Sequence, residues 1–196
     1  MDDIKSAYEI AMERVRKLDE PTDEERLKWK YLPEGEKLAV RYLKEECNLL
    51  AELGKYEEGA ARPITDGAAG VLIRNIYLPK SDDDRRNSKR AMDGLKVLKH
   101  DKAGIENVYS RMRRIFDHYL EQGEQQRQQA YQQLKSEFET RVEQAMQQQT
   151  GPLMEMKIDV EKQPQFQEEW RRVQAQLDSQ YYQLLDEYKQ ELLAIT

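Results

Sequence analysis

Arginine and lysine side chains between residues 85 and 114 are the strongest candidates for binding another molecule. Cations at this density can neutralise the phosphates of a nucleic acid. Acidic residues are interleaved with them, among them Asp93 and Asp101, and cancel much of the positive field. The pattern favours a solvated helix face and makes a nucleic-acid partner the alternative. The residues that would form such a surface are Arg85, Arg86, Lys89, Arg90, Lys96, Arg111, Arg113 and Arg114.

Side chains for metal binding or nucleophilic catalysis are few. The chain has 2 histidines and 1 cysteine, too few for a structural zinc tetrad. The Glu-x-x-His spacing of carboxylate metal sites in helical bundles is absent, since neither His100 nor His118 has a glutamate three residues before it. Cys47 lies beside Glu45 and Glu46, and acidic neighbours do not activate a thiol. We therefore predict no metal, no cofactor and no catalytic residue, and interpret Cys47 as a small apolar residue inside a helix.

Residues 65–70, Thr-Asp-Gly-Ala-Ala-Gly, have the small side chains of a phosphate-binding loop. They lack the Gly-Lys-Ser/Thr ending and do not clearly follow a strand. Tight helix packing through small residues is the better interpretation of this segment.

The composition indicates long helices with wide solvent-exposed faces. Of the 196 residues 36% are charged and 38% hydrophobic, and the net charge is -6, most of it in the C-terminal half. This charge gives no general attraction to nucleic acid or to an anionic membrane. The polar N-terminus, the lack of a long apolar run and the single cysteine predict a soluble cytoplasmic protein.

Apolar residues in the first half recur at steps of three and four. The spacing predicts a helix over residues 2–18, then a short helix through Trp29 that begins with the capping box of Thr22 and Glu25. A turn at Pro33 and Gly35 is expected before a third helix from about Leu38 to Leu53.

The most apolar run of the chain extends from Val71 to Leu78. Thr65 and Asp66 could cap a helix there and the spacing is helical, so we predict a buried helix. The length and β-branched content also suit a buried strand, which stays open as the alternative. Pro79 should end the element, and Ser81 with Asp84 should begin the next helix.

The second half predicts a helix of about 45 residues after Gly104, spanning close to ~70 Å. A dense Gln cluster interrupts its apolar stripe near residues 122–133, which indicates a partner surface or local loosening. Residues 153–160 alternate apolar and polar side chains, as a strand does. The last helix begins at Pro164, and its stripe includes Phe166, Leu177, Tyr181, Leu184 and Leu192, a spacing close to that of a coiled coil.

Together these patterns predict an all-α protein with a small helical head, residues 1–103, and a long antiparallel helical hairpin, residues 104–196, with one short strand in its connection. The strand has no clear partner in its own chain, so we predict pairing with a second copy in a homodimer. The interface would contain Met154, Met156, Ile158 and Val160.

Extended helical arms offer large surfaces but no water-excluding pocket, so we predict a non-enzymatic scaffold or adaptor that binds an unidentified protein partner. The nucleic-acid surface is the first alternative. An enzyme with a site between head helices, near Arg74 and Asn75, is the second.

Overall fold

The computed structural model describes residues 21–150 and 159–195. Helices make up 85% of these residues, and this part of the chain contains no strand. The prediction of an all-α fold is confirmed. The helix predicted over residues 2–18 lies outside the described residues.

Seven α-helices are present in the described ranges. They are α1 (Asp23–Leu43), α2 (Leu49–Leu53), α3 (Glu58–Arg74), α4 (Asp82–Leu98), α5 (Lys102–His118), α6 (Glu124–Thr150) and α7 (Pro164–Ala194). A π-helical turn, Tyr119–Gly123, joins α5 to α6, and a 3₁₀ turn, Val160–Lys162, precedes α7. None of the described helices is both long and apolar enough to cross a membrane.

The chain divides into two compact units between Val71 and Leu72. The first contains α1, α2 and most of α3. The second contains α4 to α7. We expected the division after residue 103, but α4 belongs with α5, to which a short connection joins it and with which it is in contact.

In the first unit α1 is one uninterrupted helix, so the turn predicted at Pro33 and Gly35 is wrong. The predicted capping box is confirmed: the Glu25 amide donates to the Thr22 hydroxyl, and the Thr22 amide to the Glu25 carboxylate. Pro33 removes one backbone hydrogen bond from the interior of the helix. Tertiary contact outweighs that local cost.

The tertiary contact is a close approach of α1 and α3 at two glycines. A Cβ atom on Gly35 would lie 2.0 Å from the carbonyl oxygen of Ile64, and one on Gly67 would lie 2.2 Å from that of Leu32. Both distances are shorter than any allowed contact, so only glycine permits this spacing. The interpretation of the Gly- and Ala-containing segment as a packing surface agrees with this contact.

The predicted third helix, Leu38 to Leu53, is split in two. The amides of Glu45 and Glu46 donate to the carbonyls of Tyr42 and Arg41, which ends α1 in a Schellman motif. Glu45 takes the left-handed conformation that the motif requires, with φ of 65°. Cys47 therefore lies in the connection between helices and is half-buried, not inside a helix as predicted.

The run from Val71 to Leu78 is helical as far as Arg74 and has no regular structure from Ile76 onward. The helical interpretation is thus correct for its first half. Thr65 and Asp66 do not cap it, because α3 already begins at Glu58. The Ser81 hydroxyl accepts a bond from the amide of Asp84, as predicted for the start of α4.

In the second unit, α7 packs against α5, the π-helical turn and α6. At one end Leu134, Phe138, Val160 and Phe166 form a buried cluster, with Tyr131 and Trp170 packed against it. Most of the predicted stripe on α7 faces this contact. The prediction is wrong for Leu184, which is 41% exposed. The neighbouring Leu185, which is 3% exposed, occupies the buried position instead.

Candidate functional site: two connected cavities beside the π-helical turn

The π-helical turn, Tyr119–Gly123, widens the helix, and its last two residues begin the Gln cluster at which the predicted apolar stripe is interrupted. Turns of this kind often occur at functional sites. Gly123 is buried, and a Cβ atom there would lie 3.1 Å from the hydroxyl of Tyr181. The glycine thus lets a tyrosine of α7 approach the turn closely.

Beside the turn, the carboxylate of Asp178 on α7 is only 4% exposed. Lys80 Nζ donates to it at 2.8 Å, Arg127 Nη1 at 3.3 Å and the Tyr119 hydroxyl at 3.3 Å. Arg127 also donates to the carbonyl of Tyr119 in the π-helical turn. One buried acid therefore joins the connection before α4, the turn, α6 and α7.

The protonation of these donors is set by the same contacts. Burial lowers the pKa of Lys80, but its hydrogen bonds to Asp178 and Tyr182 outweigh burial, and the net effect raises that pKa. Burial raises the pKa of Tyr119, and the charge of Asp178 raises it further. Both groups keep their protons near neutral pH, which suits them to hold an anion rather than to transfer a proton.

A cavity of about 510 Å³ opens over this cluster, and we name it the turn cavity. Its charged lining includes Lys80, Arg127 and Arg171, with Glu124 and Asp178 as the acidic members. Its remaining walls combine apolar and polar side chains, which are Pro79, Tyr119, Leu120, Gln174, Ala175 and Tyr182.

A second cavity of about 410 Å³ lies between α4 and α5, and we name it the α4–α5 groove. Met92, Tyr109 and Phe116 line it, and the buried Tyr109 hydroxyl donates to the Met92 carbonyl at 2.7 Å. Tyr77 and Leu120 also line it, although they are 44% and 36% exposed. The groove therefore presents apolar surface to solvent.

The groove and the turn cavity share two lining residues, Pro79 and Leu120. Leu120 belongs to the π-helical turn, so this turn stands between the two cavities. The two cavities are therefore adjacent.

The eight basic residues predicted as a nucleic-acid surface are only partly brought together. Arg85, Lys89, Lys96 and Arg113 line the groove, together with the acidic Asp93, Glu106 and Asp117. Glu106 pairs with both Lys96 and Arg113.

The other four basic residues do not line the groove. Arg111 pairs with Glu191 of α7, and Arg86 pairs with Asp83. Arg90 is half-buried, and Arg114 is exposed.

Of the predicted dimer interface, Met154, Met156 and Ile158 lie outside the described residues. Val160 is described, and it lies in the 3₁₀ turn instead of a strand. It is 3% exposed and packs within the cluster of Leu134, Phe138 and Phe166. Its own chain therefore covers the side chain that we expected to face a second copy.

Other candidate residues have structural surroundings. His118 is exposed, and its Nδ1 lies 2.9 Å from the Tyr181 hydroxyl. Within the described residues no group of three or more His, Cys, Asp or Glu side chains is placed to hold a metal ion. Arg74 and Asn75 line neither the turn cavity nor the groove.

Sequence reasoning missed the cluster around Asp178, although one signal was present. Asp178 occurs three residues before Tyr181 and seven before Leu185, on the face of α7 that is buried. A charged residue at such a position is rarely buried unless it is paired. The partners Lys80, Tyr119 and Arg127 come from distant parts of the sequence, and nothing in their spacing indicates them.

Comparison with known proteins places this site within a family. Residues 50–194 match the model of a family of unknown function, DUF6657. The match covers most of the chain, so the protein belongs to this family, and both cavities lie within the matched range. No curated protein and no solved structure gave a match.

Proposed function

We propose that this protein is a non-enzymatic helical scaffold or adaptor that acts through protein–protein interaction, and that the α4–α5 groove is where a partner binds. The observation that carries the proposal is the groove itself, with apolar residues on its floor and exposed Tyr77 and Leu120 at its margin. Exposed apolar surface rimmed by charged side chains is typical of protein-binding sites.

The occupant that suits this groove is an amphipathic helix. Two neighbouring helices with an apolar floor between them accept a third helix through its apolar face. The rim carries both signs of charge, Lys89 and Arg85 on α4 and Asp117 on α5. A partner helix with acidic residues on one flank and a basic residue on the other would complement it.

The proposal includes an elongated arm. The segment from Lys102 to Thr150 is continuously helical through the π-helical turn. Arg111 of this segment pairs with Glu191 near the end of α7, whereas Lys135 pairs with Glu161 just before α7 begins. This reversed order supports an antiparallel, coiled-coil-like helical hairpin that carries the groove and the turn cavity.

Two further elements of the proposal come from sequence alone. The first is a cytoplasmic location, based on the single cysteine and the lack of a long apolar run. The second is the homodimer predicted through residues 153–160, without Val160, whose side chain is buried within its own chain; a test is given below.

A nucleic-acid partner is the second candidate, because Arg85, Lys89, Lys96 and Arg113 all line the groove. The acidic residues beside them argue against it. Binding to a random DNA duplex at several salt concentrations distinguishes the two, since phosphate contacts weaken steeply as salt rises.

The test of the proposal compares two glutamate substitutions at equally exposed apolar positions. Tyr77→Glu changes the groove margin, and Leu193→Glu on α7 is the control, at 44% and 47% exposure. Proteins recovered with each variant from the native host are quantified by mass spectrometry. We expect a defined set of partners to be lost with Tyr77→Glu and kept with Leu193→Glu. Equal recovery with both variants would refute the groove as the binding site.

A further inference from the structure

We propose that the turn cavity binds a carboxylate group carried by the protein segment that occupies the α4–α5 groove. The inference rests on the proposed function and specifies the chemistry of the partner. The geometry points to an acidic side chain placed next to an apolar one, so that the first enters the turn cavity while the second contacts the groove.

The charges of the cavity support an anion. Three cations line it, Lys80, Arg127 and Arg171, against two carboxylates, Glu124 and Asp178, which leaves one positive charge in excess. The chain as a whole carries -6. The cavity is thus locally positive on an acidic protein, and one negative charge would balance it.

Both acidic residues of the cavity are already paired. Asp178 is bound by Lys80 and Arg127, and Arg127 also donates to Glu124 at 2.9 Å. Arg171 is different, since it forms no ion pair within the part of the chain that the structure describes. The excess charge therefore resides largely on Arg171.

Donors remain for a ligand. The side chain of Lys80 is 47% exposed and gives two of its three N–H groups to Asp178 and Tyr182, so one remains for a ligand. On α7, Arg171, Gln174, Asp178 and Tyr182 are spaced by three and four residues and line the same wall. A guanidinium, an ammonium and a phenol hydroxyl can surround one carboxylate, and charge-assisted bonds of this kind are short and strong.

A carboxylate fits better than a phosphate. A phosphate carries close to two negative charges near neutral pH, more than the single excess charge of this cavity. The apolar walls, Pro79, Leu120 and Ala175, also suit the methylene groups of an aspartate or glutamate side chain.

Continuity with the groove indicates that the carboxylate belongs to a peptide chain. Pro79 and Leu120 line both cavities, so residues close together in one segment can fill both. On its other side the turn cavity shares Glu124, Arg127 and Gln174 with a third cavity, which extends to Tyr131 and Trp170. The glutamine side chains along this third cavity can bond to polar side chains of the same segment.

The experiment uses the full-length protein and a phage-displayed library of short random peptides. We expect enriched peptides to combine an aromatic or aliphatic residue with Asp or Glu at a constant spacing. The affinity of a fluorescein-labelled enriched peptide is then measured by anisotropy, with the acidic residue intact and replaced by its amide. We expect a loss of about 10-fold to 100-fold on replacement, as for a hydrogen bond to a charged group.

Two adjacent arginines of α7 provide the matched variants. Arg171→Glu changes the cavity, whereas Arg172→Glu makes the same change in net charge at a side chain that pairs with Glu168 and lines a different cavity. Both arginines are exposed, so both variants should fold. We expect only Arg171→Glu to weaken binding by tenfold or more.

The outcomes separate this inference from the proposed function. Equal weakening by the two arginine variants, or enrichment of peptides without acidic residues, would overturn the carboxylate site while leaving the groove intact. Failure to enrich any peptide would also overturn the carboxylate site. If partners are also retained by Tyr77→Glu, the proposed function itself fails.

Discussion

Leu184 and Leu185 on α7 allow a direct test of which face of this helix is buried. Leu185 is 3% exposed and Leu184 is 41% exposed. Replacing each by alanine makes the same chemical change at neighbouring positions of one helix. Any difference in stability between the two variants therefore reports burial and not helix propensity.

The expected magnitude follows from these exposures. Removing three carbon atoms from a buried leucine costs about 2.4 kcal/mol in transfer free energy. The space left behind raises this, and measured costs for buried Leu→Ala changes are about 2–5 kcal/mol. We expect about 3 kcal/mol for Leu185→Ala and about 1 kcal/mol for Leu184→Ala. The difference of about 2 kcal/mol corresponds to about 30-fold in the unfolding equilibrium.

The assay is urea unfolding followed by the fluorescence of Trp170. Trp29 is 67% exposed, and a Trp29→Phe background removes its signal at little cost. Trp170 packs against Tyr131 of α6 with a ring-centroid distance of 5.0 Å, so its emission reports separation of α7 from α6. Leu185→Ala should lower the midpoint by about 1 M or more.

Equal midpoints for the two variants, or a lower midpoint for Leu184→Ala, would refute the assignment of the buried face. The matched pair excludes a general effect of shortening a leucine on this helix.

Three further predictions follow from the ion pairs and from the segment before the 3₁₀ turn. Asp178→Ala should lower the free energy of unfolding by about 2–4 kcal/mol in the same urea assay, because it leaves Arg127 and Lys80 without their shared carboxylate. Ion pairing with Arg113 and Lys96 lowers the pKa of Glu106. The contribution of Glu106 to stability is therefore present above its unfolded-state pKa of about 4.5 and is lost as pH falls through the lower folded-state pKa. Urea midpoints should decrease below about pH 5. Wild-type protein should sediment as a dimer and the variant with Met156→Pro and Ile158→Asp as a monomer; a monomeric wild type would contradict the dimer.

Local signals in the sequence determined much of the helical framework. Thr22 and Ser81 cap α1 and α4 as predicted, because a hydroxyl that accepts from an amide three residues ahead is a contact within one turn. The apolar stripe likewise predicted one long helix after Gly104, and the chain is continuously helical from Lys102 to Thr150. The predicted helix boundaries failed where a local preference met a tertiary contact.

Pro33 shows that conflict most clearly. A proline with a glycine two residues later predicts a turn. Helix α1 nevertheless continues, because Gly35 allows α3 to pass within van der Waals distance of its backbone. Pro33 and Gly35 can be recognised in the sequence, but the sequence does not indicate which distant helix packs against the glycine. Leu184 and Leu185 pose the same difficulty, since both fit an apolar stripe and only packing against α5 and α6 selects between them.

The candidate site depended on tertiary structure almost entirely. The sequence identified the basic residues from Arg85 to Arg114 but not their surroundings. In the fold, four of them line the groove, whereas Arg111 forms an ion pair with Glu191 of α7. Asp178 meets Lys80 across 98 positions of the chain and Arg127 across 51. Helical periodicity specifies which side chains share a face, whereas the pairing of faces is decided by the packing of whole helices, and that pairing forms both cavities.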